Sequence, residues 1–324
     1  MKAFVLAAGF GVRMLPVTRY YSKVCLPLAG VPGIVRVIRE LRRCGADDFI
    51  VNLHHGADYV RHCLDACGET PFYSPENEIL GTAGALARAA EFLDGGTFLL
   101  VNGDCSYEGI PLAAALEFHR AKGALATIVL LDMPENAHYG AVEVDRGGRV
   151  VRIAGRPEGA ISGERSLHFC GIHLIEPELL SRVRPVFSDI IRDIYVPLIA
   201  EGAPVYGFHT AFGWRDLGTP ERYLEASFEF LRRGINTRNS SVIDGSCMLE
   251  PGSVIGPLAD LGCGVRVGRG SSVARSVLCD NVNVGDGCLI EDCVLAPGTK
   301  VVDRKAFRKS LLAPGEHGLE VREW

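Results

Sequence analysis

The sequence predicts an α/β protein in two parts: a three-layer domain around a mostly parallel sheet, followed by a short parallel β-helix. Three observations support this. Through the first third of the chain, short continuous apolar runs such as Ala3–Ala8 and Thr97–Val101 alternate with segments of helical period. Strands that are apolar throughout belong between two helix layers. From Ile243 onward an apolar residue returns at every sixth position, with Gly, Asn, Asp and Ser between, which is the period of a hexapeptide coil. Finally, the first strand stops at a glycine-rich turn, and open α/β sheets bind ligands at the carboxyl ends of their strands.

Taken in order, Ala3 to Ala8 is the first strand and Gly9-Phe10-Gly11 its turn, with Arg13 and Lys23 beyond it. Glycine amides come close to an anion because no Cβ intervenes, and nearby cations can neutralise the same charge. The stretch therefore reads as a polyphosphate cradle, although glycines after strands also serve as plain turn residues. Met14 stands where the dinucleotide fingerprint has its third glycine, and no Gly-Lys-Ser/Thr of a P-loop occurs. Residues 33–45 have helical spacing with Gly45 as a stop, Phe49–Leu53 reads as a strand, a helix spans about 56–67, and Pro71–Tyr73 is a short strand. Thr82 suits an N-cap for a helix to about Leu93. The strand Thr97–Val101 leads through Asn102 and Gly103 to Asp104, which could equally cap a helix opened by Pro111. Ala124–Leu131 is a buried strand, Gly147-Gly148 a hairpin turn, and Thr219-Pro220 the start of a helix to about Arg233.

In the last quarter, Ile243, Leu249, Ile255, Leu261, Val267, Val273 and Cys279 fall six apart; after a one-residue slip, Val284, Ile290, Ala296 and Val302 resume. About three hexads per coil gives roughly three coils. The expected divisions are 1–234, 235–303 and a C-terminal tail, 304–324.

A net charge of −5 over 324 residues and a pI near 6.0 leave no basic footprint for nucleic acid. No apolar run approaches the roughly 18 residues of a membrane span. The run after Lys2 is too short and glycine-broken for a signal peptide, so a cytoplasmic protein is expected. The 11 cysteines are scattered without a CxxC pair and read as buried thiols, not a disulfide framework. His54, His55, His62, Cys63 and Cys67 match no standard zinc spacing.

The order Leu6-Ala7-Ala8-Gly9-x-Gly11-x-Arg13-x-x-Pro16-x-Thr18, then Lys23, Leu26-Pro27-Leu28 and Pro32, closely resembles the signature of the sugar-1-phosphate nucleotidyltransferases, the nucleotide-sugar pyrophosphorylases. The resemblance implies a Rossmann-like nucleotidyltransferase domain with a left-handed β-helix behind it. It implies that Leu6, Ala7, Ala8, Gly9 and Gly11 border the nucleotide, that Arg13 grips the triphosphate and that Lys23 sits near the α-phosphate. Asp104 becomes a magnesium ligand. Trp214-Arg215-Asp216-Leu217-Gly218-Thr219-Pro220 resembles the family's Trp-x-Asp-x-Gly-Thr-Pro motif and implies Asp216 as the second ligand of the same Mg2+.

The segment from Glu76 through Gly81, Thr82 and Ala83 matches the family's base site, in wording close to the mannose-1-phosphate guanylyltransferase branch. An ionised carboxylate only accepts hydrogen bonds, so Glu76, if it faces the base, suits guanine's adjacent ring N–H and amine. For the sugar, Tyr139-Gly140-Ala141-Val142 and Cys170-Gly171-Ile172 match, while Gly155-Arg156-Pro157 stands where the family pattern has Glu-Lys-Pro. Arg156 can still meet a phosphate, but a carboxylate for a sugar hydroxyl is missing. Val12 replaces a threonine.

The expected reaction joins a nucleoside triphosphate to a sugar 1-phosphate and releases pyrophosphate. GTP with mannose 1-phosphate or a related sugar is favoured, with uridylyl or thymidylyl transfer, or a non-catalytic nucleotide-sugar sensor, as alternatives. Hexapeptide acyltransferases generally need a histidine base, and none occurs between His209 and His317. Neither nucleic acid nor membrane is an expected partner. A homo-oligomer built through the β-helix is expected.

Overall fold

The computed structural model describes residues 1–133, 140–160, 163–233 and 240–324. Its first strands are β1 (Lys2–Leu6), β2 (Asp48–Leu53), β3 (Phe72–Pro75) and β4 (Phe98–Asn102), parallel in the order β4-β1-β2-β3. Side chains alternate across a strand, so Ala3, Val5, Val51 and Val101 enter one core while Phe4, Ile50 and Leu100 enter another on the opposite face. Helix α1 (Gly33–Arg43) closes the first core with Ile34, Ile38 and Leu41. Helix α2 (Ala57–Ala66) adds Val60 and Leu64 to it. Helix α3 (Gly81–Arg88) closes the second core with Ala85 and Leu86. Both sheet faces are covered, which is why apolar residues occupy successive positions through the middle of β1, β2 and β4.

The remaining strands are β5 (Cys105–Glu108), β6 (Ala126–Leu131), β7 (Val142–Val144), β8 (Val150–Ile153), β9 (Arg165–Ile175), β10 (Val205–His209) and β11 (Gly213–Asp216). Here the sheet departs from the mostly parallel expectation. The 11-residue β9 enters antiparallel beside β4 and also pairs antiparallel with β6 and β7. Antiparallel strands need only short connections. Accordingly, the Gly147-Gly148 turn joins β7 to β8, with the Gly148 N–H bonded to the Asp145 carbonyl at 3.1 Å. The nine-stranded sheet thus has a parallel core and an antiparallel flank.

Helix α4 (Leu112–Ala121) packs beside β6 and β10, and α5 (Pro220–Arg233) leads toward the repeats. The link at 234–239, which holds the expected boundary, lies outside the described residues. Beyond it, short strands stack in parallel, first at an offset of 18 residues and then of 17. The 17-residue coils shift the phase of the hexads. Leu261, Leu278, Leu295 and Leu312 share the coil interior, whereas Cys279 and Ala296, expected inside, lie on the outer face against the first domain. Val301 is buried and Val302 is 65% exposed, again one position off the expected register. Ile243 and Leu249, in the first coil, are also exposed.

Val277, Val294, Leu311 and Ala313 belong to the same core as Val5 and Leu41, so the coil is welded to the sheet domain by a continuous apolar contact. After Arg304 the chain forms a final strand, Ala306–Gly315, parallel to Leu289–Leu295. A return strand, Gly318–Glu323, then folds antiparallel upon it. No helix among the described residues is long and apolar enough to cross a membrane.

Candidate active site

Because β1 to β4 are parallel, their carboxyl ends meet along one edge. There they enclose a cavity of about 390 Å³ lined by Leu6, Ala7, Ala8, Gly9, Gly11 and Arg13 from the first turn, with Lys23, Asn52, Glu76 and Asp104 opposite. Gly11 has φ +62°, and a Cβ there would meet Thr18 Cγ2 at 2.9 Å and Lys23 Cβ at 3.1 Å, so only glycine suits the turn. A Cβ on Gly9 would meet no protein atom; its bare backbone opens onto the cavity.

The charged groups are drawn together by backbone pairing. Gly103 donates to the Leu6 carbonyl at 2.9 Å, and a Cβ there would lie 2.5 Å from that oxygen. This close approach brings Asp104 beside the glycine turn. Strand β11 pairs antiparallel with β5, setting Asp216 opposite Cys105, and the Leu217 N–H meets the Asp104 carbonyl at 3.3 Å. The two acids are thereby neighbours from distant parts of the chain.

The Lys23 ammonium, on a buried side chain, lies 2.5 Å from Asp104 Oδ2. Asp216 accepts from the Gly218 N–H at 2.8 Å and from Arg222 Nη1 at 2.6 Å. Arg13 reaches the same place: a Cβ on Gly218 would stand 2.6 Å from Arg13 Nη2 and 2.7 Å from Asp216 Oδ1. Burial, then the charges of Asp104 and Asp216, push the Cys105 thiol well above its ordinary range, so it is a neutral packing group and no nucleophile.

Glu76, expected beside the base, is buried, with Oε1 accepting from Asn52 Nδ2 at 2.8 Å and Oε2 from the Leu80 N–H at 2.8 Å. Asn52 Oδ1 in turn accepts from the Ala7 N–H at 2.6 Å. Gly81 and Thr82 line the cavity, but Ala83 does not. Ala83 is wholly buried and its N–H bonds to the Ser188 carbonyl at 3.0 Å. The Gly-Thr-Ala-Gly run has a packing reason of its own. A Cβ on Gly81 would lie 2.5 Å from the Ser188 carbonyl oxygen and one on Gly84 2.2 Å from that of Val186. The Thr82 hydroxyl does not cap α3; it accepts instead from the N–H of Ile190, the first residue of the helical segment Ile190–Tyr195, at 2.7 Å.

The expected sugar residues are more dispersed. Gly140 and Arg156 are exposed and are not among the cavity's lining residues; Gly140 packs against Ala154 instead. Gly171, at φ +87°, lies behind the cavity, where a Cβ would meet Asn102 Nδ2 at 2.7 Å. Tyr139 lies outside the described residues. Sequence reasoning missed Asn52, Asn102 and Gly218 in the lining, and Arg222 beside Asp216. The available signal was position: Asn52 and Asn102 are polar residues at the carboxyl ends of apolar strands.

Comparisons with known proteins bear on this geometry. Residues 2–233 match the family described as nucleotidyl transferase, and residues 229–307 match the GlmU-like, C-terminal hexapeptide family. A mannose-1-phosphate guanylyltransferase of Mycobacterium tuberculosis is 28% identical over 300 residues, 87% of this chain and 80% of that protein. A UTP--glucose-1-phosphate uridylyltransferase of Synechocystis is 31% identical over 254 residues, 72% of this chain and 64% of that one. The crystal structure of HddC from Yersinia pseudotuberculosis superposes with a TM-score of 0.59 at 22% identity, over 71% of this chain and 99% of that one, a likeness of fold.

Proposed function

Because the chain belongs to the nucleotidyl transferase family, and is a sugar-1-phosphate nucleotidyltransferase by its relatives, we propose that it joins GTP to mannose 1-phosphate or a related sugar 1-phosphate. An oxygen of the sugar phosphate attacks the α-phosphorus, the bond to the β-phosphate oxygen breaks, and pyrophosphate leaves. The nucleophile is already ionised, so no base is needed; the protein's work is to align two anions and balance charge on the leaving group. The observation that carries the reading is the meeting of Lys23, Asp104, Asp216 and Arg13 beside the glycine turn.

In this reading the bare amides of Gly9 and Gly11 and the Arg13 guanidinium hold the β- and γ-phosphates, and Lys23 meets the α-phosphate. Asp104 and Asp216 suit a hard divalent cation: both donors are carboxylates, and among the described residues no larger His, Cys, Asp and Glu cluster competes for it. Such an ion, magnesium by ligand preference, supplies charge neutralisation to the phosphates when bound. Arg222 orients Asp216 by its ion pair.

Glu76 presents carboxylate oxygens to guanine, held in place by Asn52 and Leu80. Those same two bonds favour a second reading. Each oxygen already has one donor, which weakens the pull toward a base with two adjacent donors and admits uridine, as in the Synechocystis relative's name. Gly140, Arg156 and Gly171 are assigned to the sugar side. The repeats are read as a left-handed coil, supported by the hexapeptide match. We divide the chain at 234 and 303, read it as cytoplasmic, and expect self-association through the exposed Ile243, Met248 and Val254 of the first coil.

Replacing Asp104→Asn or Asp216→Asn tests the assignment: pyrophosphate release falls by about two orders of magnitude while the melting temperature holds. Wild-type turnover in both variants would remove these acids from the chemistry.

A further inference from the structure

The loop that carries Arg13 is gripped from outside the cavity by the far end of the chain. Arg322 Nη2 donates to the Arg13 carbonyl at 2.5 Å. Arg19 makes a forked ion pair with Glu320, at 2.5 and 3.4 Å, and the Tyr20 hydroxyl donates to the Pro314 carbonyl at 2.6 Å. Between Gly11 and Tyr20 the backbone has only two single 3-10 turns, Val12–Met14 and Val17–Arg19. Such a segment takes its position from what it touches.

The middle of the loop, Met14 and Pro16–Thr18, is seated on the core, and the hairpin meets its outward residues, of which Arg13, Arg19 and Tyr20 are exposed. Ala306–Gly315 continues the ladder of Leu289–Leu295, its Leu311, Leu312 and Ala313 are wholly buried, and Gly318–Glu323 is bonded along its length. The coil is already joined to the sheet domain through Val277, Val294, Leu311 and Ala313. The contacts of Arg322 and Glu320 are therefore superfluous for holding the two parts together. The Arg19–Glu320 pair is half exposed on both sides, a setting in which ion pairs add little to stability. What these contacts do add is a second anchor for the exposed backbone of Arg13, beside the buried Met14 that follows it.

We propose that Arg322 and Glu320 are positioning residues for triphosphate binding. The C-terminal hairpin presets the Gly11–Tyr20 loop so that Arg13 meets the phosphates without first having to be ordered. The inference rests on the reading of that loop as the triphosphate cradle. Ordering a loop at the moment of binding weakens affinity, and a preset loop avoids that loss.

The test uses full-length R322A, the E320A/R322A double variant, R19E, E320R and the R19E/E320R pair. In ligand-free protein, hydrogen exchange at residues 12–20 is expected to rise about tenfold, with the coil strands unchanged and the melting temperature kept. KM for the triphosphate rises about three- to tenfold with kcat within about twofold, and the R19E/E320R pair restores what R19E and E320R lose. Unchanged exchange in the double variant overturns the grip itself, whatever the enzyme's activity. Faster exchange with unchanged KM overturns the positioning role. An inactive wild type contradicts the functional reading instead, and exchange still decides the grip. Loss of coil protection in R322A would make Arg322 a folding residue and overturn the proposal for it; R322K, which keeps a donor, is expected to behave as wild type.

Discussion

Gly218 shows how a single missing methyl can shape a site. Its backbone does not require glycine, since its φ is not among the positive ones, yet a Cβ would press on both Arg13 and Asp216. The Arg13 guanidinium is the end of a flexible side chain and can swing away at little cost. Asp216, tied to Gly218 and Arg222, cannot move without losing a bond. Gly218→Ala is therefore expected to leave the melting temperature within about 2 °C while lowering kcat/KM by about tenfold or more, as thermal melts beside steady-state kinetics would reveal. Gly11 is the contrast, because there positive φ and crowding against Thr18 and Lys23 make the glycine structural as well. The Lys23–Asp104 pair belongs to the same scale. The Lys23 ammonium lies 2.5 Å from an Asp104 oxygen, so in the proposed reading the two charged groups are already placed side by side before a phosphate arrives.

At the scale of elements, strand ends do the placing, and this part was legible. A strand that stops at glycine, or at Asn-Gly-Asp, can be read directly from the chain. The paired acids needed the resemblance, because nothing local in residues 104 and 216 says that β5 and β11 are neighbours. Asn52 is harder to read, because one amide near the end of an apolar run is marked by position alone and by no motif. Ala83 was misplaced because the start of α3 both faces the cavity and grips the Ser188 backbone, and a sequence motif does not separate the two. The coil phase slipped because Cys279 and Ala296 are apolar and buried on either face; the welded outer face hides the register.

One strand of that weld makes a pH prediction. Asp260 is buried where the coil meets the Gly30 turn, with Oδ2 accepting from the Gly30 N–H at 2.9 Å. Burial dominates over that bond and lifts its pKa to about 6. The folded state thus holds this proton more tightly than the unfolded chain. Its contribution is most favourable below pH about 4 and is lost as pH rises through about 6, a change of about 3 kcal/mol. Asp260→Asn should remove that slope and raise the melting temperature at neutral pH. An unchanged slope in pH-dependent melts would contradict the assignment.

For the whole molecule, the sheet domain holds the chemistry and the coil holds the sheet domain, joined by a shared core and by the hairpin over the Arg13 loop. The central claim is nucleotidyl transfer at the Lys23–Asp104–Asp216–Arg13 cluster, with guanine selected beside Glu76. Its most direct test is magnesium-dependent pyrophosphate release, with GTP, UTP, dTTP, ATP and CTP each crossed against mannose 1-phosphate, glucose 1-phosphate and other sugar 1-phosphates. The account predicts release with GTP and mannose 1-phosphate or a related sugar. Release with UTP or dTTP alone would overturn the role given to Glu76 while keeping the chemistry, and silence across the panel from folded protein would contradict the claim itself.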